Sequence, residues 1–556
     1  MFDNLLRKKT LEQAQKVHDA TPERAEMDAL IGEPAMRRTL KVRDLVMMGV
    51  AAVIGAGIFS TIGQAAFHGG PGVVFLFLIT AVTCGFTALC YAEFAARIPV
   101  SGSAYTYSYV AFGEIIAWII GWSLILEYAI GNIVVAISWS SYFNNILEGL
   151  GIHLPAWVIS DSKTAQEAFA KGLDTIPARA WATAPEWSGI KIIMNIPAFV
   201  VVVLVTILAY IGIKESKKSA NAMVIVKLAI LVVVIIMGAF YINADNYTPF
   251  FPNNFKGVLM GVSAVFYAYI GFDAISTTAE ECENPQRDLP RGMLYALLIC
   301  TVIYILTALV ITGMVNYGEF EHVTDPLAFV FDKINQPIVG RIISFSAVIA
   351  ATSVMLVFQI GQPRIWMSMS RDGLLPKKFA KIHKKYRTPS FATIVTGVLV
   401  AVPALFIDAN IVTDLTSIGT LFAFVLVCGG VLRLPPPAPE QRFRLPYINS
   451  RYFLPLLIGT FIYFSWDRFT DNYRHLYEIP FDEVLFVAYI LAATAISGYA
   501  IYKKYTIVPV LGLLCCLYLM IEIPMKSWIV FFFWMAGGLL VYFAFSYRNS
   551  RLNKVN

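Results

Sequence analysis

The sequence predicts an all-α protein that threads a membrane repeatedly, with about fourteen spanning helices. Three observations carry that expectation. Of the 556 residues, 58% belong to the hydrophobic set and only 14% are charged, with a mean hydropathy of +0.66. An ordinary soluble domain is about 45–50% apolar and about 25% charged. The apolar residues fall into separated runs, among them VVFLFLITAVTCGFTALCYA and IPAFVVVVLVTILAYIGI, each near the ~20 residues that cross a ~30 Å hydrocarbon core. The basic residues collect in alternate connecting segments, so the net charge of +6 reads as membrane topology and not as nucleic-acid binding.

Residues 1–43 form a charged leader, helical in part, with no cleavable signal peptide ahead of the first span. Spans are expected near 45–66, 72–96, 114–147, 195–213, 219–242, 256–280, 292–316, 338–370, 391–407 and 412–432. Four more follow near 452–465, 484–502, 506–522 and 528–547, the first of them short and interrupted by a proline. This divides the chain into the leader, a ten-helix core at 44–434, accessory spans at 435–547 and a tail at 548–556. Arg37, Arg38, Lys41 and Arg43, then Lys214, Lys217 and Lys218, then the lysine-rich 375–389 segment, then Arg548, Arg551 and Lys554 all fall on one side. The opposite loops at 317–326 and 408–414 contain neither lysine nor arginine. Both termini are therefore expected in the cytoplasm, with the protein in the plasma (inner) membrane. The 7 cysteines lie almost all inside apolar runs without a CxxC pair, which reads as buried small hydrophobes.

Two spans are broken at corresponding places. The first carries Gly55-Ala56-Gly57 near its middle, and the sixth carries Tyr269-Ile270-Gly271-Phe272-Asp273. They lie five spans apart, an odd number, so the two halves would run with opposite topology. Paired glycine interruptions of this kind point to a transporter site at the midplane. A helix that unwinds there frees N–H groups for a carboxylate and carbonyls for an ammonium. On the glycines alone, close helix packing explains the first break equally well. The pair of breaks favours the site.

Charged residues inside the spans are few. Lys227, in VIVKLAILVVVII, lies deep in the fifth span and is either a proton carrier or a snorkelling anchor. Asp273 either caps the second half of the sixth span or meets the substrate. Glu127, in GWSLILEYAIG, either lines the pathway or pairs between helices. Ala351-Thr352-Ser353 in the eighth span offers hydroxyls, which more often bind helices together than hold a cation. No HExxH, P-loop or GxSxG motif occurs, and the six histidines are scattered, so neither a hydrolase, an ATP-driven pump nor a metal site is expected. No arginine-repeat span or TVGYG-type filter suggests a channel.

The segments VIGAGIF, ALCYAEFAARIPVSGSAYTYSYVAFGE (88–114), FYAYIGFDAISTTAEECENPQRDLPRG (266–292) and GQPRIWMSMSRDGLLP (361–376) resemble the amino acid–polyamine–organocation transporters. Within them the match is to the cationic amino acid transporter branch, over most of residues 40–434. The resemblance implies ten core helices in two inverted five-helix repeats, the leucine-transporter-type fold. It implies a carboxylate site at Gly55, Ala56 and Gly57, and an amine site at carbonyls near Val53, Tyr267, Ala268 and Ile270. Lys227 matches the fifth-span lysine whose amine stands where sodium-coupled relatives hold an ion, which implies proton coupling. The chain departs from the common pattern at Ala56, where relatives often carry Thr or Ser, and at Phe358-Gln359-Ile360, where selectivity is partly set. The spans at 452–502 match the fourteen-span subtype.

The expected function is proton-coupled symport of small or medium neutral L-amino acids, with the apolar Phe266, Tyr267 and Phe358 lining the pocket. A cationic amino acid transporter or an exchanger is the alternative, and an amino-acid-binding sensor the alternative of another class. The expected partners are the amino acid, protons and lipid, with no cofactor, nucleic acid or obligatory protein subunit.

Overall fold

The computed structural model describes residues 7–16, 36, 38–55, 57–321, 323, 325–436, 441, 443–464 and 481–555. Within the leader, α1 (Leu11–Lys16) starts at a reciprocal cap, with Thr10 N–H on Gln13 Oε1 at 3.0 Å and Gln13 N–H on Thr10 Oγ1 at 3.1 Å. The first predicted span is split into α2 (Val42–Val53), a π turn at Gly57–Thr61, and α3 (Ile62–Gly69). α4 (Val73–Arg97) and α5 (Ala104–Ala111) lead into α6 (Glu114–Gly149), whose 36 residues extend about 54 Å. That exceeds the ~30 Å hydrocarbon core, so this helix runs tilted or projects beyond it.

Between residues 150 and 195 sit α7 (Ser162–Ala170), α8 (Ile176–Thr183) and a two-stranded antiparallel ribbon, β1 (Glu186–Trp187) with β2 (Ile190–Lys191). α9 (Ile196–Ile211) and α10 (Ile213–Ala239) follow. The sixth predicted span is divided into α11 (Asn254–Leu259), α12 (Val262–Tyr269) and a 3₁₀ helix at Phe272–Glu281. Next come α13 (Pro285–Met314), the short loop helix α14 (Pro326–Lys333), α15 (Pro337–Arg371), α16 (Ser390–Ala404) and α17 (Ala409–Val431). The accessory helices are α18 (Ser450–Phe464), α19 (Phe481–Lys503), α20 (Ile507–Ile521) and α21 (Met525–Val541). Residue 465, the end of the shortest predicted span, lies outside the described residues.

Among the described residues, 7 helices are by length and composition long and apolar enough to cross a membrane, with shorter apolar helices at Ile196–Ile211, Ser390–Ala404, Leu415–Val431 and Ile507–Ile521. The lipid face is evident in what is left exposed. α10 presents Ile225, Val226, Val232, Val233 and Ile236 outward, and α9 presents Leu204 and Ile207. Such faces suit hydrocarbon and not water. α6 and α15 pack along each other at the centre, and α13 packs against both α2 and α4.

The leader and the 214–218 segment meet at one end of the bundle. Lys217 Nζ donates to Thr39 O at 2.6 Å and to Asp44 Oδ2 at 3.0 Å, Arg7 reaches Glu114 at 3.2 Å, and Lys9 pairs with Asp372. The C-terminal Ser546 donates to Leu374 O at 2.7 Å. Glu114, fully buried, also accepts from Tyr109 Oη at 2.8 Å and Tyr542 Oη at 3.0 Å, which ties the last helices to the core.

Candidate functional site

The two breaks are local consequences of glycine. After α2 the backbone at Ile54 turns extended (φ −79°, ψ 98°), and its N–H still closes on Val50 O at 3.0 Å. In the sixth span Ile270 is extended, and Gly271 has φ +114°, a conformation that L side chains rarely adopt. The 3₁₀ helix then restarts the chain in a new direction.

What the sequence cannot show is how tightly these breaks meet. A Cβ placed on Gly57 would lie 2.3 Å from Ala268 Cα and 2.6 Å from its Cβ. One on Gly271 would lie 2.9 Å from Ala52 Cβ, and one on Gly55 would lie 2.3 Å from Val354 Cγ2. Between them remains a cavity of ≈ 10 Å³, lined by Val53, Gly55, Gly57, Tyr267, Ile270 and Phe358 together with Ala52, Val135 and Val354. That is about the room one water molecule needs, too little for an amino acid. The geometry thus gathers Val53, Gly55, Gly57, Tyr267, Ile270 and Phe358 at one place. Ala56 lies outside the described residues.

Ala268 contributes from behind the cavity wall. Its carbonyl and that of Val53 both lie 2.8 Å from the Tyr304 hydroxyl on α13, a residue that sequence reasoning missed. Nothing in the apolar run around Tyr304 marks it. Ala52, Val135 and Val354 were missed for the same reason. Phe266, expected on the pocket wall, instead packs edge-on against Phe424 at 6.0 Å between ring centres. It faces α17 and not the cavity, because α12 can turn only one side of its two turns toward the break.

Lys227 is fully buried, which removes the snorkelling alternative. Its Nζ donates to Ala51 O at 3.0 Å, to Ile54 O at 2.5 Å and to Ser353 Oγ at 2.9 Å. One ammonium thereby joins the end of α2 to the middle of α15 and uses all three of its protons. Of the eighth-span hydroxyls, Ser353 serves the lysine, whereas Thr352 accepts from Trp139 Nε1 at 2.9 Å and binds α6 to α15.

Asp273 and Glu127 are both buried and away from the cavity lining. Asp273 Oδ2 accepts from Tyr128 Oη at 3.2 Å, and the backbone N–H groups of Gly271, Asp273 and Ala274, at the start of the 3₁₀ helix, face its carboxyl. Glu127 sits against Gly419 of α17, and neither of its oxygens has a hydrogen-bond partner of good geometry. The Thr420 hydroxyl faces it but donates to Thr416 O at 3.0 Å. Among the described residues neither acid forms an ion pair. Tyr128 also meets the Phe358 ring edge-on at 5.2 Å, so the aspartate and the cavity wall share one neighbour.

At the basic end the bundle is tied shut. Arg364 and Glu281 pair at 2.5 Å in full burial, and Arg371 pairs with Glu280 at 2.8 Å. The N–H groups of Thr39 and Leu40 bond Glu281 O at 2.9 and 3.0 Å, which fastens the entry to α2 against the end of the 3₁₀ helix.

Residues 40–466 match the amino acid permease family model. The chain belongs to that family. Residues 504–550 match a second model, for the C-terminus of such permeases. This family member is 36% identical to the branched-chain amino acid permease BcaP of Bacillus subtilis strain 168, over 95% of this chain and 97% of the relative. It is likewise 36% identical to the methylthioribose transporter of the same organism, over 94% and 96% of the two chains. With the vacuolar cationic amino acid transporter 4 of Arabidopsis thaliana it shares 37% identity, over 73% of this chain and 65% of that one. The permease is therefore a multi-pass membrane transporter and not an enzyme. Its relatives carry chemically different cargo under similar identity, so overall similarity leaves the side-chain preference open.

Proposed function

We propose that this permease carries small or medium neutral L-amino acids by alternating access, with proton symport. The observation that carries the reading is the meeting of the two broken helices at Gly57 and Ala268, with Lys227 binding the first of them to α15. When the bundle opens, N–H groups at residues 55–57 take the substrate carboxylate, and carbonyls at Val53, Tyr267, Ala268 and Ile270 take its ammonium. The side chain then meets Val135, Val354, Phe358 and Ile270, a wall without a charged group, which supports neutral over cationic cargo. The name of the branched-chain relative, which spans nearly the whole chain, points the same way.

Lys227 fills the position of a coupling cation. Its ammonium holds the first and eighth spans together, and loss of its proton removes the donors that hold them, so a proton gradient biases the cycle. Sodium is then dispensable. The architecture is fourteen crossings with a ten-helix inverted-repeat core, and the basic end faces the cytoplasm of a cell whose plasma membrane holds the protein. Glu127 and Asp273 are structural charges beside the pathway. Purified protein screened by thermal shift against the standard amino acids, followed by uptake into proteoliposomes, tests the cargo. Stabilisation and uptake with leucine, alanine or serine are expected. Uptake of arginine and lysine with no competition from these three overturns the neutral assignment.

A further inference from the structure

We propose that the Tyr304 hydroxyl stands in for the substrate's ammonium group, satisfying the two carbonyls of the amine site while the unloaded carrier closes. This rests on the amine site described above. Val53 is the last residue of α2, and Ala268 lies in the last turn of α12. Each helix stops there, so neither carbonyl has a helical N–H four residues on. Both instead face Tyr304 Oη, at 2.8 Å each. A phenol carries one proton, so the two carbonyls share a single donor. An ammonium would bring three.

The hydroxyl is held in place by packing. Tyr304 is fully buried, and its ring meets Phe77 at 5.7 Å and Tyr269 at 5.2 Å, both edge-on. Around it the bundle is drawn together, with Gly57 against Ala268 and only ≈ 10 Å³ left in the cavity. An amino acid does not fit in that space. In this closed arrangement the two carbonyls can be satisfied only by the protein, and a buried carbonyl without a donor opposes closure.

The two halves of a transport cycle differ in their need for this contact. Net uptake requires the carrier to reorient unloaded, whereas exchange of one substrate molecule for another does not. Tyr304→Phe keeps the ring and its neighbours and removes the hydroxyl alone. Net uptake of leucine into substrate-free proteoliposomes should fall roughly tenfold, while exchange into leucine-loaded ones stays within about twofold. The hydroxyl also competes with the substrate for the carbonyls, so the variant in detergent should bind leucine roughly three- to tenfold more tightly. That gain should be absent for 4-methylpentanoate, the same skeleton without its amine. Equal loss of net uptake and exchange, or weaker leucine binding, overturns the proposal and makes Tyr304 a substrate contact or a packing residue. An equal gain for the amine-free acid overturns it as well. Should the wild-type protein neither bind nor move any amino acid, it is the amine site itself that fails.

Discussion

Replacing Gly57 with alanine adds one methyl group at the tightest point of the bundle. The new Cβ would lie 2.3 Å from Ala268 Cα, 2.6 Å from its Cβ and 3.0 Å from its nitrogen. Ordinary contact between such atoms begins near 3.4 Å, so the first and sixth spans would have to part by about 1 Å. Two of the three neighbours are backbone atoms, which cannot swing aside as a side-chain tip can. Overpacking of this kind typically costs about 1–3 kcal/mol. At roughly 1.4 kcal/mol per tenfold, the closed state becomes about 5- to 150-fold rarer. Loaded and unloaded carriers both pass through a closed bundle, so net uptake and exchange of leucine in proteoliposomes should fall together. Gly57→Val should abolish both. Gly537→Ala, whose Cβ would meet nothing within 4 Å, is the matched control. Wild-type uptake by a Gly57→Ala protein that inserts normally and runs as a single species would remove the site from this break.

Lys227→Ala should lose accumulation driven by an inward proton gradient yet retain measurable leucine binding, because the carboxylate and amine contacts are backbone groups. The wild-type protein should respond to the gradient equally with sodium replaced by choline, and strict sodium dependence or an unaltered pH response in the variant would refute the coupling role. In the loop outside the spans, Asp325 caps α14 through Ala328 N–H at 3.3 Å and accepts from Ser344 Oγ at 3.0 Å. Burial raises its carboxyl from the ordinary 3.8 to about 6 against those bonds. The fold thus holds this proton more tightly than the unfolded chain does. The resulting stability is full below pH 3.8 and is lost as pH rises through about 6, each pH unit between these values removing roughly 1.4 kcal/mol. Asp325→Asn cannot titrate, and its one carbonyl oxygen can still accept from Ala328 N–H while its amide N–H faces Ser344 Oγ, so its melting temperature in detergent should vary less than wild type between pH 4 and 7. An unchanged slope would assign the pH dependence elsewhere.

Membrane insertion, the places of the helices and the two breaks were legible in the residues because each is a local property. Twenty apolar residues in a row have few alternatives to a spanning helix, and glycine relaxes the backbone wherever it stands. Lys227 was conspicuous for a related reason, since a lysine in VIVKLAILVVVII has no local partner. Which partners it finds was decided by packing: Ala51 and Ile54 lie 176 and 173 residues away in the chain. The same holds for Tyr304, which sits 251 residues from Val53 and carries no sequence signal that separates it from a core tyrosine. Phe266 and Phe358 were equivalent as aromatic candidates for the wall, and only packing separated them: α12 turns Phe266 against α17, whereas α15 sets Phe358 at the cavity. Glu127 and Asp273 stood out as charges in apolar runs, while the absence of an ion pair for either among the described residues followed from the helices that surround them. Composition and period act along the chain and can be read from it. The reach of one hydroxyl to two carbonyls depends on how three helices cross, and that is settled only when the whole bundle closes.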